Sequence, residues 1–194
     1  MRRFRDRQPL RISGKVYIFL AAAILFLPLP WLIASILAAG FHELCHYAAV
    51  KLCGGSISAF SINEAGAEMR GETFCLKKEL ICVLAGPIGG LLLVLLIHIF
   101  PRLAICALCH SLYNMLPIFP LDGGRALRCG THLILSPPLA KRFCKFVERI
   151  CVMALALLGG YATFLLKLGW MPIFIVFFLL LRLKSVKTPC KEEF

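Results

Sequence analysis

His42, Glu43 and His46 fall within the apolar run Phe41-His42-Glu43-Leu44-Cys45-His46-Tyr47. Residues four apart on a helix differ by about 40° in direction, so the two imidazoles share a face. Two neutral imidazoles so placed supply half of a tetrahedral zinc site. Glu43, beside the first, stands where a carboxylate can take a proton from water activated by the ion. A hydrolytic zinc site also needs a third protein ligand and an open position. A five-residue pattern arises by chance too, so that third ligand has to be sought elsewhere in the chain.

Composition says where such a site would sit. The chain of 194 residues is 60% hydrophobic, with a mean hydropathy of +0.84. Soluble domains hold roughly 45–50% apolar residues. The excess lies in long runs, the pattern of a multi-span membrane protein. The formal charge of +12 does not indicate nucleic acid, because the basic residues lie between apolar spans. The first apolar run has no Ala-x-Ala-like exit, so a cleavable signal peptide is not expected. Ten cysteines fall mostly in spans or on the reducing side, where they act as small buried hydrophobes rather than disulfides. Cys106-Ala107-Leu108-Cys109-His110 matches the c-type haem pattern, but its place inside a predicted span excludes haem attachment.

The elements that must carry these residues follow from the runs. Residues 1–15 form a basic anchor. The apolar stretch from Val16 to Val50 is too long for one crossing of about 20 residues, and Pro28 and Pro30 divide it. A first span is expected near 16–29 and a second from Trp31 to about Leu52, with both histidines in its second half. Gly54-Gly55 ends it. Ser56 to Ile62 alternates polar and apolar, and residues 67–76 read as a return strand. Further spans are expected at about 80–100, 103–119, 148–166 and 169–183. A basic connector at 125–147 contains Ser136-Pro137-Pro138 as a helix start. The sequence thus predicts a single all-α polytopic domain over 1–194, with about six transmembrane helices and a small β-hairpin or extended segment after the metal-binding helix. Its catalytic core covers 31–125 and its C-terminal helices 136–183.

Orientation follows from charge. With six spans, all of the 22 Lys and Arg except Arg102 and Lys167 fall on one side, which the positive-inside rule makes cytosolic, together with both termini. His42 and His46 then lie roughly 8–14 Å above Lys51, at 1.5 Å per residue. Asp122 lies near the cytosolic end of the fourth span, at similar depth on the same side. A carboxylate there is costly unless paired or bound to metal. Asp122 is therefore the candidate third ligand. The other reading of Leu121-Asp122-Gly123-Gly124 is a turn that caps a helix.

Together these residues resemble the site-2 protease family of intramembrane zinc metalloproteases, most closely the compact bacterial branch that includes stage IV sporulation protein FB. The family carries His-Glu-x-x-His on one membrane helix and Asn-x-x-Pro-x-x-x-x-Asp-Gly on another. Here the second motif is Asn114, Pro117, Asp122 and Gly123, at matching spacing. Ala85-Gly86-Pro87 looks like the family's third core helix. The resemblance implies one Zn2+ per chain held by His42, His46 and Asp122, Glu43 as general base, and Asn114 as a catalytic helper that holds substrate or polarises its carbonyl. An interhelical hydrogen bond is an equal alternative for Asn114. The family's extended segment is thought to hold substrate as an added strand, which implies docking on residues 56–76.

The expected activity is hydrolysis of peptide bonds in membrane-spanning or membrane-tethered proteins near the cytosolic face of a bacterial membrane, including a sporulation sigma-factor precursor as a substrate class. Two departures from the family stand out. Cys45 replaces the usual Gly, and its thiol is expected to pack rather than ligate. No regulatory nucleotide-binding domain is expected after the last span. His110 shares a helix face with Asn114, either as part of a polar stripe or as a satisfied buried histidine. The rival class is a transmembrane metal-ion transporter of the ZIP type, but the loops lack that class's histidine clusters.

Overall fold

The computed structural model describes residues 11–12, 28–55, 57–63, 66–71 and 75–167, together with 169, 170, 173, 176 and 177. The expected first span at 16–29 lies outside the described residues except for its last two positions. Most of the sixth, at 169–183, lies outside them as well.

Helix α1 covers Leu29–Leu52. Pro28 and Pro30 stand at its start, where a missing N–H costs nothing. At the other end Gly54 takes a positive φ of 82°. The Gly55 N–H reaches the Val50 carbonyl and the Gly54 N–H that of Lys51, at 2.9 and 3.0 Å. This is the paired closure a glycine after the cap permits, and it bears out the stop expected at Gly54-Gly55.

Burial on α1 is inverted relative to a soluble helix. Ala34, Ala38 and His42, each four apart, are buried, while Ile33, Ile36, Leu37 and Leu44 are exposed. Small residues inward and large aliphatics outward is how helices pack in lipid. α2 (Leu76–Leu93), extended by a 3₁₀ turn to Leu96, repeats the arrangement. Its buried face is Cys82, Val83, Gly86, Pro87, Gly89 and Gly90. Among the described residues, Leu29–Leu52 and Leu76–Leu96 are the helices long and apolar enough to cross a membrane.

The next span corrects an expectation. α3 covers Pro101–Asn114 and stops short of the expected 119. Pro117 has no N–H to continue the ladder, and its ring would strike the carbonyl four residues back. Residues 115–121 instead form a tight turn, with a cis Phe119–Pro120 bond and hydrogen bonds from Ile118 N–H to Leu116 and Leu121 N–H to Ile118. At 1.5 Å per residue α3 is about 21 Å long, short of the roughly 30 Å hydrocarbon layer.

The expected basic connector is also corrected, because it is helical. α4 runs Asp122–Ile134 and α5 runs Pro137–Phe164. Ser136 and Pro137 start α5 where the sequence placed a helix start, and the expected fifth span is the second half of this longer helix. α4 packs on α2 and α5, with Thr131 Oγ1 and Cys144 Sγ 3.2 Å apart in a buried contact.

Between α1 and α2 lies a small sheet. β2 (Ile57–Asn63) and β3 (Gly66–Gly71) pair antiparallel, with Phe60 opposite Met69 and Ile62 opposite Ala67. Residues 1–15 were expected only as a basic anchor. Within them β1 (Arg11–Ile12) pairs parallel with β2, giving the order β1-β2-β3.

Gly123 and Gly124 let the first turn of α4 lie on the 115–119 turn. A Cβ on Gly123 would meet the Met115 and Leu116 carbonyls, and one on Gly124 the backbone of Ile118 and Phe119. Backbone cannot swing aside as a side-chain tip can. Gly124→Ala should therefore lower stability by roughly 1–3 kcal/mol, read as a lower unfolding midpoint in detergent.

Candidate metal centre

Two helices bring three side chains to one point. α1 brings His42 and His46 to its inner face, and the first residue of α4 brings Asp122. His42 Nε2 and His46 Nε2 lie 3.0 and 3.1 Å from the same carboxylate oxygen, Asp122 Oδ2, and 3.1 Å from each other. His42 is 1% exposed and Asp122 9%. These residues form the one group of three or more candidate ligands found among the described residues.

The donor chemistry of this triangle fits a cation. His46 Nδ1 lies 2.7 Å from the Cys82 carbonyl, which can only accept, so Nδ1 carries the proton. In the neutral ring Nε2 then presents a lone pair to the carboxylate oxygen and to the second imidazole. Two imidazole nitrogens and a carboxylate oxygen facing one another at such range are a donor set suited to a cation. Zinc–ligand bonds of about 2.0–2.2 Å set neighbouring ligand atoms at roughly 3.3 Å in a tetrahedron, close to the separations found here. A backbone carbonyl fixing a ligand histidine is a common support for such a site.

Space is provided by a glycine. A Cβ on Gly86 would collide with His46 Nε2 and lie 2.7 Å from His42 Nε2. Helix α2 thus presents bare backbone where the two ligand nitrogens meet. Gly89 does the same for Cys45, whose thiol fills the place a Cβ would take; Cys45 packs between helices. Gly90 likewise admits Ser111 of α3.

The remaining candidates fall as follows. Glu43 is half-buried beside His42 on α1. Asn114 is half-buried and donates from Nδ2 to the His110 carbonyl at 3.1 Å, a bond within its own helix. No described contact takes Asn114 to the triangle. His110 packs its ring against His42, centroids 4.7 Å apart and planes at 87°, so α3 touches the site through this histidine. The sequence marks Gly86 only as part of Ala85-Gly86-Pro87, the counterpart of the family's third core helix. The Cys82 carbonyl leaves no signal in the sequence, since every residue type has one.

Comparison with known proteins settles the family. The Peptidase M50B-like family matches residues 16–121. The chain belongs to this family. It is an integral membrane protein and a metalloendopeptidase of the site-2 protease group. The fold is similar to that of "Site-2 Protease from Methanocaldococcus jannaschii", with a TM-score of 0.67 at 19% identity, over 97% of this chain and 96% of that one. No curated protein sequence is significantly similar.

Gly86→Ala puts a methyl group where the ligand nitrogens converge. It should abolish tight zinc binding, by at least about 100-fold in affinity, with helix content by circular dichroism unchanged. Metal content of the purified variant checks this.

Proposed function

We propose that this chain is a zinc-dependent intramembrane protease that cuts membrane-spanning or membrane-tethered proteins near the cytosolic face. The observation that carries the reading is the buried triangle of His42, His46 and Asp122, with the His46 lone pair turned inward by the Cys82 carbonyl. When bound, one zinc ion supplies Lewis-acid chemistry, acidifying water and polarising a carbonyl.

The chain's own residues do the rest. His42, His46 and Asp122 hold the ion. One turn's neighbour on α1, Glu43, takes a proton from the attacking water and returns it to the leaving amine. The lipid-packed faces of α1 and α2 keep bulk water away, which strengthens each electrostatic contact inside. Asn114 is half-buried at the end of α3, and its carbonyl oxygen remains available to hold a substrate N–H while its Nδ2 is bonded to His110.

Helical peptide bonds are poorly accessible, so a substrate must unwind before cleavage. An added strand stabilises the unwound form. The order β1-β2-β3 leaves β2 with a neighbour on each side, so the substrate pairs along the outer edge of β3, Gly66–Gly71. This reading narrows the docking segment from 56–76 to one strand. A multi-pass topology with cytosolic termini, in a bacterial membrane, puts the sheet and the site on the basic side. The substrates of this class are anchored precursors that release a soluble fragment, of which a sporulation sigma-factor precursor is one.

Family membership speaks against transport as the function. Glu43→Gln should keep its zinc but lose roughly 10²–10⁴-fold in cleavage rate, measured on the purified chain with a tagged single-span substrate. Undiminished cleavage would remove Glu43 from the mechanism. Asp122→Ala should lose both zinc and cleavage, while zinc flux into proteoliposomes stays at background for the wild type and for both variants.

A further inference from the structure

The N-terminal half of α5 carries three kinds of surface in separate sectors. At about 100° per residue, Lys141, Arg142, Lys145 and Arg149 fall within roughly 100° of arc. Leu139, Phe143, Phe146 and Ile150 occupy an adjoining sector of roughly 60°. All eight are exposed, Phe146 to 61%. The third sector holds Ala140, with no exposure, and Cys144, which meets Thr131 of α4. Glu148 is the one acidic residue between 137 and 150, and it lies on the far border of the basic sector.

A helix that packs its third side on protein has no use for a second apolar face in water. It has one at the edge of a bilayer. There the aromatic and aliphatic sector enters the acyl boundary, and the basic sector beside it lies level with the headgroups. The second half of α5 exposes Met153, Leu157, Leu158, Tyr161 and Phe164 and lacks charge from Cys151 to Leu166. The helix therefore passes from a basic, amphipathic end to a wholly apolar one.

We propose that residues 137–150 of α5 form a binding surface for anionic phospholipid headgroups. The occupant follows from charge: four cations against one carboxylate, beside an apolar sector that needs acyl chains, match a phosphodiester headgroup with its lipid tails. Binding there anchors α5 and, through the Thr131–Cys144 contact and the short link at 135–136, the α4 helix that begins at Asp122. This surface is independent of the protease reading, since it depends only on the chain being embedded in a membrane.

The test uses the full chain in dodecyl maltoside micelles doped with short-chain phosphatidylglycerol or with phosphatidylcholine of the same length. The wild type should bind the anionic lipid at least tenfold more tightly, and the preference should shrink in 0.5 M salt, where the screening length falls to a few ångströms. Lys145→Gln and Arg149→Gln should each weaken binding about fivefold, from roughly 1 kcal/mol per basic residue. Lys141→Gln, Arg142→Gln, Lys145→Gln and Arg149→Gln together should abolish the preference, while exchanging Lys for Arg and Arg for Lys at these positions should keep it. Should the two lipids bind the wild type equally, or the fourfold variant keep its preference, the proposal fails. Tight, charge-dependent binding of a glutamate-rich peptide without any lipid preference would overturn it in favour of an acidic protein partner.

Discussion

How closely α1, α2 and α3 approach one another sets everything else in this molecule. The contact is made by residues with little or no side chain: Ala34 and Ala38 on α1, Gly86, Gly89 and Gly90 on α2, and Ala104, Ala107 and Ser111 on α3. In lipid there is no hydrophobic gain from bringing aliphatic surfaces together, so association rests on van der Waals contact and buried polar bonds. Small residues maximise the first. They also bring the Cys82 backbone within 2.7 Å of His46, which decides the tautomer of a ligand on another helix. Packing and chemistry are here the same contact.

Because the large aliphatic residues point outward, the polar atoms have only the interior to occupy. His42, Ser111 and Asp122 are buried, and two of these three belong to the candidate metal triangle. A carboxylate held among neutral rings in an apolar setting is expensive to keep charged without a compensating cation. A bound cation would supply that compensation, and the His42–Asp122 contact already joins α1 to α4 across 80 positions of sequence.

The chemistry was largely legible in the sequence because it follows helical periodicity and topology. His42 and His46 are four apart, and counting basic residues brought Asp122 to the same depth. The lengths of the elements were less legible, for local reasons. The apolar content of 103–119 suggested an unbroken span, but Pro117 outweighs composition and α3 ends at Asn114. The charges Arg125, Arg128, Lys141, Arg142 and Lys145 suggested a solvated connector. Lys141, Arg142 and Lys145 lie on the outer face of α5, whose inner face holds Ala140 and Cys144, while Arg125 pairs with Glu79 of α2 and half-buried Arg128 stacks on Phe119. Pairing of β1 with β2 left no sign in the sequence, since two residues are too few to show alternation.

The sheet stands on closely set feet. It leaves α1 just after the glycine closure at Gly54-Gly55 and re-enters at Cys75, the residue before α2. Lys78 Nζ, one turn into α2, donates to the Cys53 carbonyl at 3.0 Å, so the two helix ends beneath the sheet are strapped together. The bond holds the two ends at a set spacing beneath the strands. His46 lies less than two turns up α1 from that strap, so one short length of helix joins the footing of the sheet to the imidazoles.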